Sequence, residues 1–199
     1  MKTLKILVLA LAIVALAPAA MADPFTLVNG GPSVTTTYQG TGIYSGSSAT
    51  IKWTLSGNTL TLFVTNTSSW PNTSLSGIAF NTTPNVNFSI SSQSGGISGW
   101  GSKGSGVGGF EVKAGNPGSC NSAGTLCANE TGTIVLSLTN FSGNLTIDTS
   151  IVHLQSVING NSIKPTGTVI VNTPEPASLF LLGTGLLGAG RIVRKRFQK

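Results

Sequence analysis

The sequence predicts an all-β fold, an antiparallel β-sandwich or jelly-roll-like ectodomain flanked by an N-terminal signal helix and a C-terminal single transmembrane helix, and three observations place the β-rich body. Apolar and polar residues alternate over short runs, and Gly, Asn and Ser punctuate those runs. No stretch between residues 23 and 172 carries a 3.6-residue period. Thr, Val, Ile and Phe fill the strand positions, as a pleated, half-buried surface prefers. A segment of about 150 residues is long enough for one domain with its own core.

In "ATIKWTL", Ala49, Ile51, Trp53 and Leu55 alternate with Thr50, Lys52 and Thr54, which places Trp53 on a buried face. "SGN" follows, then "TLTLFVT" with Leu60, Leu62 and Val64 on one face, so Gly57-Asn58 marks a two-residue hairpin. The same period returns at Val86/Phe88/Ile90, Ile134/Leu136/Leu138 and Leu145/Ile147, while "GGFEV", "IVHLQSV" and "TVIVN" supply further short strands. From Ser89 to Gly109, 15 of 21 residues are Ser or Gly, and beyond Ser91 this composition reads as a long mobile loop. It holds G-x-G-x-x-G twice, at Gly99-Gly101-Gly104 and Gly104-Gly106-Gly109. A phosphate-binding turn needs a helix next, and the strand-like "FEV" stands there instead. A β-solenoid would show a fixed repeat. The T-x-T pairs at Thr59/Thr61 and Thr65/Thr67 do not recur on one, so no regular threonine array is legible.

Catalytic groups are sparse. His153 is the only histidine, in the strand-like "IVHLQSV", and reads as a structural side chain. A Ser-His-Asp set would need Asp148 to orient it, and no G-x-S-x-G elbow marks a nucleophile. The expectation is a non-enzyme without metal or cofactor: two thiols and one distant His do not make a zinc set. Cys120 and Cys127, with six residues between them, read as a disulfide in an exported chain. Trp70 in "SSWPN" and Trp100 in "SGWGS" lie in turn-like contexts and offer faces on which a sugar could stack.

The termini differ from the body. Residues 1–22 have Lys2 and Lys5, an apolar run from Ile6 to Ala17, and Ala20-Met21-Ala22, the order of a Sec signal peptide. Residues 173–199 hold Pro174-Glu175-Pro176, fourteen uncharged residues from Ala177 to Gly190, then Arg191, Arg194, Lys195 and Arg196. A helix from Ala177 to Val193 would cover roughly 25 Å, a marginal span of a hydrocarbon core about 30 Å thick. The basic cluster would remain cytoplasmic. Terminal cations account for the net charge of +6. From Asp23 to Pro176 four lysines face five carboxylates, so the body is near neutral and a nucleic-acid partner is excluded.

The order of Pro174-Glu175-Pro176, a Gly-containing apolar helix and an Arg-rich end resembles the PEP-CTERM sorting signal of Gram-negative bacteria. In the family it resembles, this segment is also called the ice-binding protein C-terminal domain. The resemblance implies an exosortase-like membrane enzyme as partner. It also implies a transient inner-membrane intermediate and delivery to the cell surface or extracellular matrix. The body, residues 23–172, resembles other ectodomains of that kind in "GVGGFEVKAGNPGSC" and "SIVHLQSVINGNS". That likeness implies a β-rich domain and no reaction. The expected role is structural or adhesive, with a carbohydrate-binding module acting on exopolysaccharide as the alternative, and an ice-binding protein behind both.

Overall fold

The computed structural model describes residues 24–104, 109–114, 120, 124–155, 157 and 160–170. The N-terminal signal helix and the C-terminal transmembrane helix expected from the sequence lie outside these residues. Among the described residues the one helix is a 3-10 turn, Gly42–Tyr44, and none is long and apolar enough to cross a membrane.

Among the described residues, twelve strands form two antiparallel sheets. They are β1 (Phe25–Leu27), β2 (Val34–Gln39), β3 (Ser48–Ser56), β4 (Thr59–Asn66), β5 (Ser74–Thr83) and β6 (Asn87–Gly95). The chain continues through β7 (Gly101–Gly104), β8 (Phe110–Lys113), β9 (Leu126–Cys127), β10 (Thr131–Thr139), β11 (Leu145–Gln155) and β12 (Gly167–Ile170). The first sheet has the order β12-β2-β3-β4-β10-β6; the second has β1-β11-β5-β8-β7, with β9 also paired to β5.

The expected hairpin is present. Ser56 pairs with Thr59, and Gly57 takes φ +60° at the first turn position, where a non-Gly residue would be disfavoured. Alternation then decides the faces: Ala49, Ile51, Trp53 and Leu55 from β3 and Leu60, Leu62 and Val64 from β4 are all buried. They meet Leu27, Ile78, Phe80, Ile147, Val152 and Leu154 of the second sheet in one apolar cluster. Aromatic rings cross between the sheets: Phe25 to Trp53 at 5.7 Å, Trp53 to Phe80 at 5.3 Å and Phe80 to Phe88 at 5.3 Å, all edge-on.

A polar chain also crosses this core. Trp53 Nε1–H donates to Thr36 Oγ1 at 2.8 Å, and Thr36 Oγ1 donates to Tyr38 Oη at 3.0 Å. Tyr38 Oη then donates to Ser150 Oγ of the second sheet at 2.9 Å. All four residues are fully buried.

Two expectations need correction. "LTIDTS" and "IVHLQ" are not separate strands but the single eleven-residue β11. A bulge between Ile147 and Thr149 resets its phase, so Leu145 and Ile147 face inward and then Ser150, Val152 and Leu154 do. The supposed loop after Ser91 is also strand. β6 runs on to Gly95 because its serines pair with β10, with a bulge opposite Val135/Leu136 and a Ser91–Ser137 hydroxyl contact. After Gly95 the chain drops Ile97 and Trp100 into the core before entering β7. Gly132 of β10 makes that possible, since any side chain there would collide with Ile97.

Tyr38→Phe removes only the hydroxyl that joins the sheets and should cost about 1–3 kcal/mol, whereas Trp53→Ala should cost about 3–5 kcal/mol. Urea unfolding of the purified protein measures both. A Tyr38→Phe variant as stable as the wild type would mean that the polar chain does not hold the sheets together.

Candidate binding face

With the odd-numbered apolar residues of β3 turned inward, the intervening ones must point to solvent, and the same holds for each neighbour in register. Thr168, Thr37, Thr50, Thr65 and Thr131 therefore align in one row across five adjacent strands. The next row is Ile170, Thr35, Lys52, Phe63, Thr133 and Ser94. A third holds Thr54, Thr61, Val135 and Ser92. The threonine order that the sequence did not show is thus built between strands, from five separate segments.

Phe63 is 46% exposed, the one fully outward aromatic among the described residues. Lys52 is the only charged residue in the six strands of this sheet. At the β2–β12 end of the threonine row, the hydroxyls of Thr37 and Thr168 donate to each other's backbone carbonyls at 3.5 and 3.2 Å.

The tryptophans expected to stack on sugar are placed differently. Trp100 is only 3% exposed; its indole N–H donates to the Gly124 carbonyl and its own carbonyl accepts from Gln93 Nε2 at 2.7 Å. It is a core residue with no open face, because the β6–β7 connection folds inward. Trp70 is half-buried against the core between β4 and β5, with its ring over Gly46. The two tryptophans therefore share no exposed face.

Cys120 and Cys127 form a disulfide with their Cα atoms 5.1 Å apart, tying residue 120 to β9. Cys127 N–H also donates to Glu130 Oε2 at 2.8 Å. His153 is half-buried on the outer face of the second sheet, opposite Gly77, with Nδ1 3.4 Å from Ser76 Oγ. Burial holds its pKa below the ordinary 6.5, and Lys164 and Lys113 push the same way against Glu111. Asp148 does not orient it: that carboxylate sits at the β11 bulge and accepts from Thr83 Oγ1 at 2.8 Å. A cleft of about 510 Å³ at one end of the sandwich has Phe80, Phe88 and Phe110 in its wall, with Asn81, Asn85 and Asn87 beside them.

The sorting residues Pro174, Glu175 and Pro176 and the basic residues Arg191, Arg194, Lys195 and Arg196 lie outside the described residues. Residues 172–196 match the PEP-CTERM protein-sorting motif. The motif implies an exported protein, processed by an exosortase in the membrane and sorted to the cell surface or beyond. No curated protein and no solved structure matches the chain. The match begins two residues after the end of β12, an edge strand of the first sheet.

The lone histidine gives a clean titration. Its imidazole signals should have an NMR midpoint below 6.5. Because the unfolded chain then binds the proton more readily, stability should fall as pH drops from above 6.5 towards that midpoint. His153→Gln should flatten this part of the stability profile. A midpoint at or above 6.5 would show that His153 is solvated or paired with a carboxylate.

Proposed function

We propose that this exported protein is a structural or adhesive component of the cell surface or extracellular matrix, not an enzyme, and that the sandwich is its mature part. The observation that carries the reading is the sorting motif placed directly behind the last strand. The signal pattern of residues 1–22 supports entry through Sec, and the apolar run after Pro176 supports a pause in the inner membrane. A span of roughly 25 Å holds such an intermediate weakly. Pro174 and Pro176 disfavour helix at Thr173 and Glu175, a bias that supports recognition of this segment by a processing enzyme. The polar side chains of the sandwich support a structural role, since they serve the fold. Asn66 donates to the carbonyls of Thr73 and Leu126, Thr36 and Tyr38 bridge the sheets, and Asp148 accepts from Thr83.

In an exosortase-positive host, protein recovered outside the inner membrane should lack residues 191–199 by mass spectrometry. Glu175→Ala, or loss of the exosortase, should leave most of the chain intact in the inner membrane. Surface-released wild-type protein that still ends in Lys199 would contradict the reading.

A further inference from the structure

We infer that the outer face of the first sheet, centred on Phe63, binds an extended, uncharged polysaccharide. Single exposed apolar side chains are common on protein surfaces, so Phe63 alone would carry nothing. Its setting is what matters. In register it lies between Lys52 and Thr133, and along β4 it lies between Thr61 and Thr65 on the same face. The face of a phenyl ring is electron-rich and attracts the weakly positive C–H face of a pyranose. Hydroxyls at strand spacing around it both donate and accept, as sugar hydroxyls require. The Lys52 ammonium adds one strong donor.

Charge and shape narrow the occupant. With one lysine and no carboxylate in its six strands, the sheet cannot neutralise a polyanion. That disfavours nucleic acids and acidic glycans. The row through Phe63, from Thr35 to Ser94, spans four strand intervals, about 19 Å at the usual spacing, which suits a polymer better than a single sugar. Neighbouring strands twist by roughly 20–25°, so the row winds across the sheet. A flexible chain can follow that winding, whereas the flat lattice of ice cannot. Thr37 and Thr168 spend their hydroxyls on each other's backbone, which leaves Thr50, Thr65 and Thr131 as the contacting part of the threonine row. The source of the polymer, the surface to which the protein is sorted, rests on the proposed function. The binding itself does not.

The test is biolayer interferometry with full-length protein in mild detergent, at high salt to screen the Arg-rich tail. The immobilised probes are galactomannan, mixed-linkage β-glucan, dextran and, as the acidic control, alginate. Saturable binding to at least one neutral polymer is expected, with Phe63→Ala weakening it by roughly tenfold or more and leaving the melting temperature unchanged. Thr50→Val combined with Thr65→Val should weaken it by about three- to tenfold. The proposal is overturned if no neutral polymer binds, if Phe63→Ala binds as well as the wild type, or if alginate binds best. Threonine-dependent freezing-point hysteresis without glycan binding would assign the face to ice and also overturn it. Protein that fails to bind but is still trimmed and released would refute this site and leave the sorting reading intact.

Discussion

The hydrogen-bonded chain from Trp53 through Thr36 and Tyr38 to Ser150 fixes how one sheet sits on the other. Each polar group in it is fully buried, and a buried group left unpaired costs about 1–3 kcal/mol. Apolar contacts alone would tolerate small slides between the sheets, because they are non-directional. Hydrogen bonds between β2, β3 and β11 tolerate far less. A one-residue slip of β3 would turn Trp53 outwards and bring Lys52 or Thr54 into the core. The same constraint sets the outside. Once Ile51, Trp53 and Leu55 must point in, Thr50, Lys52 and Thr54 must point out, and the neighbouring strands follow in register. The threonine rows and Phe63 are thus the outward consequence of an inward requirement.

How much of this could be read from sequence depends on where the information lies. The β3–β4 hairpin was legible because alternation and turn chemistry are both local. The phase change in β11 was not: a bulge inserts one residue without a distinctive letter, so "LTIDTS" and "IVHLQ" looked like two strands. Between Ser89 and Gly104, composition misled. Serines on an edge strand read as loop, although their backbones pair with β10, and Ile97 and Trp100 anchor the connection to β7. Asn66 looks like any other polar residue in a Thr- and Asn-rich chain, yet its amide joins the Thr67–Thr73 connection to β9. The candidate face was the least legible part. No single segment contains its row; only the pairing of β12, β2, β3, β4 and β10 assembles it.

The chain divides its tasks between regions of different chemistry. Cations concentrate near the two ends of the full sequence. The sandwich between them is nearly neutral and draws its cohesion from apolar burial, aromatic contacts and a few directed hydrogen bonds. The Cys120–Cys127 disulfide fits delivery to an oxidising compartment, where such bonds persist. The sorting motif begins two residues after the end of β12, an edge strand of the first sheet. Removal of the tail would leave a nearly neutral body with a hydroxyl-rich face whose one charged residue is Lys52.

Amide hydrogen exchange on the full-length protein addresses most directly whether the two sheets behave as one unit locked by the buried polar chain. The central amides of β3 and β4 in the first sheet and of β5 and β11 in the second should open with the same free energy, equal to that of global unfolding. Exchange of β5 and β11 through a distinctly lower-energy opening, while β3 and β4 remained protected, would show that the sheets separate independently and would contradict the account.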